Sequence, residues 1–119
     1  MTDSHSFSNT PLFHKLYELY KLLSSLHGSI PKSQRYTLWQ RCENLNLTLL
    51  ELLLEAAAKK EKERLNILYQ MSQKLDLLKI LIRLAKEMKV ISLKKYTVIQ
   101  TMLQESGKMI GGWLKSVSH

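Results

Sequence analysis

Cysteine occurs once, proline twice and glycine four times in 119 residues. Cys42 has no partner within the chain, so no internal disulfide forms and a reducing, cytoplasmic setting is expected. The shortage of proline and glycine leaves little turn-forming material, which argues for a few long helices. No stretch of 18 apolar residues occurs, so no transmembrane helix is expected and no membrane is counted among the partners. The opening residues, Met1-Thr2-Asp3-Ser4-His5-Ser6-Phe7, lack the basic and apolar regions of a signal peptide.

Acid is sparse throughout, and only the first half balances its cations. Cations and carboxylates cancel over residues 1–58, and the entire formal charge of +8 belongs to residues 59–119. Such a bias suggests a polyanionic partner, nucleic acid ahead of an anionic membrane, or else a solvated basic surface. The length fits one domain, and a hydrophobic content of 45% supports a single modest core.

What the chain has in quantity is leucine at helical spacing. Residues 1–9 are polar and expected to be disordered, leaving a domain over 10–117. Thr10 can cap a first helix with Pro11 at its first position. Leu12, Leu16, Leu19, Leu23 and Leu26 then form one stripe that ends at Gly28. A second helix is predicted from Lys32 to Lys59. Its main stripe is Leu38, Cys42, Leu45, Leu49, Leu52 and Ala56, and a second stripe holds Leu47, Leu50, Leu54 and Ala57. The apolar arc spans roughly 220°, against roughly 100° for a helix with one buried face. Other helices of the bundle, or a second subunit, must cover Leu47, Leu50 and Leu54.

The charged run Lys59-Lys60-Glu61-Lys62-Glu63 contains no proline or glycine, yet one helix of about 55 residues is improbable for a compact domain. A third helix is therefore predicted over Lys62–Lys89. Its core stripe is Leu68, Met71, Leu75, Leu78, Ile82 and Ala85. Ser92 caps a fourth helix carrying Tyr96, Ile99, Leu103, Ile110 and Trp113. Four amphipathic helices with short connections read as an all-α, antiparallel up-down-up-down four-helix bundle.

The catalytic inventory is thin. His5, His14, His27 and His119 show no ligand spacing on one helix, and Cys42 stands alone, so no metal site is expected. Glu51 and Glu55, one turn apart, read as a solvated pair. No helix carries the Glu-x-x-His pairs of a di-iron bundle, and no glycine-rich phosphate loop follows a strand. Bundle-type toxin ribonucleases place an arginine shortly before a late histidine, but the only late histidine here is the last residue. The reading is of a protein without catalytic residues, metal or cofactor.

The basic residues are more informative. Lys79, Arg83 and Lys86 fall at i, i+4, i+7 and share a face, where like charges oppose the helix unless a polyanion sits between them. Lys94, Lys95, Lys108 and Lys115 extend that candidate patch onto the fourth helix. Three glycines there, Gly107, Gly111 and Gly112, should cost the helix roughly 1 kcal/mol each. Gly107 and Gly111, four apart, offer a face without side chains to a packing partner, and Trp113 is expected to be buried against another helix through that approach.

These residues resemble the accessory variability determinant (Avd) proteins of diversity-generating retroelements, over about Ser29 to Val117. The likeness rests on Ser29-Ile30-Pro31-Lys32, on Leu77-Leu78-Lys79-Ile80-Leu81-Ile82-Arg83-Leu84, and above all on the run from Gly107 to Lys115 with Gly111-Gly112-Trp113. The resemblance implies a four-helix bundle assembled into a pentameric barrel. It also implies binding to a retroelement reverse transcriptase and to template RNA or DNA, with the family's basic positions at Lys79 and Arg83. A related family, the four-helix bundle proteins of 23S ribosomal RNA intervening sequences, implies a structural oligomer with no specific nucleic-acid role.

Overall fold

A computed structural model describes residues 10–117; the tail expected over 1–9 lies outside the described residues. Helix α1 spans Pro11–Leu26. The Thr10 hydroxyl accepts the Phe13 amide at 3.2 Å, which satisfies one of the donors that every helix start leaves open. Leu12, Leu16, Leu19 and Leu23 are buried. A 3-10 turn, His27–Ser29, follows, and the Arg35 guanidinium donates to the carbonyls of Gly28 and Ile30. One side chain thereby fixes the reversal.

The expected second helix is interrupted near its start. A turn at Lys32–Gln34 leads into a π-helical segment, Arg35–Trp39, before the regular helix α2, Gln40–Ala58. Trp39, which the leucine stripe passed over, is fully buried, and its indole N–H donates to the Leu23 carbonyl at 2.9 Å. Leu38, placed in the core by periodicity, is only half-buried. A large ring with its own hydrogen-bond partner outcompetes a leucine for that space.

Lys59 and Lys60 are both extended, which ends α2 and opens α3, Glu61–Glu87. The single long helix therefore does not form. Arg64 holds the break by donating to the carbonyls of Ala56 (2.8 Å) and Ala57 (3.3 Å) in the last turn of α2, the first of which also accepts the Lys59 amide. Helix α3 closes in a Schellman turn. The Val90 amide reaches Ala85, the Lys89 amide reaches Lys86, and Lys89 takes the left-handed conformation at φ 61°. Ser92 then caps α4, Leu93–Val117, its hydroxyl accepting the Lys95 amide at 3.1 Å.

The four long helices pack as a closed ring. α1 touches α2 and α4, and α3 touches α2 and α4, with no direct approach across either diagonal. The short connections make sequence neighbours antiparallel, and no strand occurs among the described residues. A Lys15–Glu105 ion pair at 2.8 Å joins α1 to α4. The core holds one buried amide: Asn46 donates to the Leu16 carbonyl at 3.0 Å, while its Oδ1 has no partner.

Cys42 is buried in this core. Burial and the adjacent Glu43 carboxylate push its thiol up to about 12 from 9.0. Only the thiolate reacts, so the native chain is expected to resist alkylation at neutral pH and to react once unfolded, which a mass-resolved iodoacetamide time course will show. The thiol favours the fold fully below about 9 and loses that contribution as pH rises towards about 12.

Candidate nucleic-acid interface

Helices α3 and α4 enclose an open groove of about 400 Å³, lined by Ser72, Asp76, Lys79, Gln104, Gly107 and Lys108 over a floor of Leu75 and Ile110. The antiparallel pairing builds it. Gln100 donates to the Lys79 carbonyl at 3.1 Å, and two turns later Gly107 lies under the Lys79 side chain. A Cβ on Gly107 would sit 3.2 Å from Lys79 Nζ and 3.4 Å from Leu75 Cδ2. A side chain there would crowd the lysine end and Leu75, which would have to shift slightly.

Lys79 is half-buried, and neither it nor Lys108 forms an ion pair or a side-chain hydrogen bond among the described residues. Neither ammonium group therefore has a counter-ion within the groove. Lys86 continues this flank, with its ammonium 4.5 Å from the Tyr96 ring centroid. Arg83 is exposed between them. The three sequence-chosen cations therefore share the α4-facing flank of α3.

The fourth-helix cations divide. Lys108 lines the groove, and Lys115 is exposed two turns further on. Lys94 and Lys95 are exposed in the first turn of α4, near the Lys86 end. Helical spacing turns Lys95 roughly 140° from Lys108, so Lys95 stands off the groove. Ser72 and Gln104 were not singled out from sequence, since they enter only once the phase between two helices is known. Asp76, which helical spacing sets to one side of the three cations, lines the same groove as Lys79.

The glycine-tryptophan ending requires a correction. Gly107 is closely packed, as expected, but a Cβ on Gly111 or Gly112 would meet nothing within 4 Å. These two glycines do not admit Trp113 to the core. Trp113 is half-buried, with the Arg64 guanidinium 5.7 Å from its ring centroid, and it borders a small apolar pocket with Leu12, Leu53 and Met109. The reason is position: Trp113 lies at the bundle's end, where α1 and α2 supply only their terminal turns.

A separate apolar strip lies on α1 and α2. Leu47 and Leu54 are 40% and 50% exposed, with Leu50 half-buried between them. Leu47 and Leu50 follow Glu43 and Asn46 by one turn each, and those two residues bond to His27 and Leu16. The strip therefore lies on the α1-facing flank of α2. Tyr17, 50% exposed and stacked on Phe13, points roughly 200° away from Lys15, the residue that reaches α4. It extends the strip across α1. A second exposed strip on α3 contains Tyr69, Ile80 and Leu84.

Among the described residues no helix is long and apolar enough to cross a membrane, and no three His, Cys, Asp or Glu side chains cluster to hold a metal. The molecule is an all-helical four-helix protein with a cationic groove on one face and apolar strips on others. A family model described as bAvd-like matches residues 12–117, and the chain belongs to that family, the Avd-like proteins. Neither the curated proteins nor the solved structures gave a match to it.

Proposed function

We propose that this chain is a non-catalytic accessory subunit of a diversity-generating retroelement. In this reading it binds the element's reverse transcriptase and RNA or DNA through the α3–α4 surface, in support of mutagenic reverse transcription and retrohoming. The bAvd-like family supports the accessory role. The observation that carries the binding surface is the half-buried, uncompensated Lys79 beside Lys108, with Arg83 and Lys86 on the same flank.

The same reading makes the protein a homo-oligomer, five subunits by family resemblance. Two different apolar strips on one chain favour head-to-tail contacts, which close into rings when the rotation permits. A ring multiplies the basic surface, so affinity rises through multivalency without new contacts.

The test is a salt titration of nucleic-acid binding. Wild type should lose affinity steeply with salt, and Lys79→Ala/Arg83→Ala should bind several-fold more weakly with a salt slope reduced by about 2. Sedimentation and circular dichroism should be unchanged. Equal affinities and slopes for the two proteins would leave the structural oligomer as the better reading, its cations serving only as a solvated face.

A further inference from the structure

Asp76 is out of place in a groove meant only for phosphate. It lines the same space as Lys79 and Lys108 yet pairs with neither. An ionised carboxylate only accepts hydrogen bonds, so a ligand that tolerates it must bring a donor close to its own negative charge. Single-stranded RNA does: each phosphodiester adjoins a ribose whose 2′-hydroxyl can donate, a group that DNA lacks. Asp76 and Lys79 are three residues apart on α3, so their side chains emerge about 5–6 Å from each other. Gly107 adds no side chain of its own to the groove that holds them.

We propose that the α3–α4 groove is a ribonucleotide seat, with Lys79 and Lys108 on the phosphate and Asp76 accepting the 2′-hydroxyl, so that it selects RNA over DNA. This rests on the nucleic-acid reading above and adds the class of strand. Exocyclic base amines also donate, but DNA carries the same amines. Comparing RNA and DNA of one sequence separates a sugar contact from a base contact.

The experiment is fluorescence anisotropy with the full chain. The probes are a mixed-sequence single-stranded RNA of about 20 nucleotides and the DNA of the same sequence, a length that covers several binding modes. Wild type should favour RNA by about three- to tenfold, the range of one ordinary hydrogen bond in a wet groove. Asp76→Ala, which removes the acceptor, should bring the ratio near one, even as the lost negative charge raises DNA affinity. Lys79→Ala and Lys108→Ala should weaken both ligands, each lowering the salt slope by about one.

Equal RNA and DNA affinities for wild type, or an unchanged ratio in Asp76→Ala, would overturn the seat. Should Lys79→Ala and Lys108→Ala bind like wild type while Arg83→Ala or Lys94→Ala weakens binding, the strand lies off the groove. That result refutes this inference and leaves the functional reading standing. A wild-type protein that binds neither probe refutes both.

Discussion

Replacing Trp39 with alanine is expected to remove about 3–5 kcal/mol of stability, the range for truncating a fully buried tryptophan. Trp39 has no exposed surface, and its indole N–H serves the Leu23 carbonyl. Truncation would open a cavity between α1 and the π-helical segment and strand that carbonyl, two independent costs. A chain of this size has only about 5–15 kcal/mol to lose, so the variant should unfold at markedly lower urea at a fixed protein concentration, followed by circular dichroism. Trp113→Ala is the internal comparison. Its ring is half-exposed, so its loss should be smaller. Equal midpoints for the two variants would mean that burial does not govern the tryptophan energetics here.

Leu47→Glu combined with Leu54→Glu is expected to convert an assembled protein into single chains. Both side chains are about half exposed in the isolated bundle, so glutamate leaves the fold with almost no penalty from its own core. At a subunit interface the same change buries two carboxylates without partners, which costs several kcal/mol per contact. A ring repeats that contact at every subunit, so the effect should be all-or-none in sedimentation velocity at micromolar concentration, with helical circular dichroism retained. An unchanged sedimentation coefficient would move the interface elsewhere, and a wild type that already sediments as a single chain would end the idea of assembly.

Most of the fold was legible because helix signals are local. Thr10 and Ser92 marked two starts by the hydroxyl each offers to an amide three residues on. The leucine spacing of α1 and the stripe of α3 named residues that the structure buries, apart from Leu26, which is half-buried at the end of α1. The charged run was read as a break, but the device that makes it was not. Arg64 caps the previous helix by folding back across extended backbone, and no periodicity encodes that return. The π-helical segment escaped for a related reason, since its anchor is a carbonyl 16 residues away.

The candidate site was half legible. Spacing alone put Lys79, Arg83 and Lys86 on one flank. It could not say that this flank faces α4, that Lys108 comes from the other side, or that Lys79 lies over Gly107. Gly111 and Gly112 show the converse: their sequence context suggested internal packing, and the structure leaves both open.

The buried amide of Asn46 acts as an alignment pin. In the leucine-rich seam between α1 and α2, one apolar contact is easily exchanged for another, and a slide by a fraction of a turn would cost such contacts little. Asn46 resists that slide. Its Nδ2 meets the Leu16 carbonyl at 3.0 Å, and a displacement short of a full turn would break the bond and leave both amide atoms unpaired in the core rather than Oδ1 alone. That alignment also decides where Tyr17 stands beside Leu47 and Leu54. A single interior amide, touching no partner, thus sets the outline that the α1–α2 face presents to another molecule.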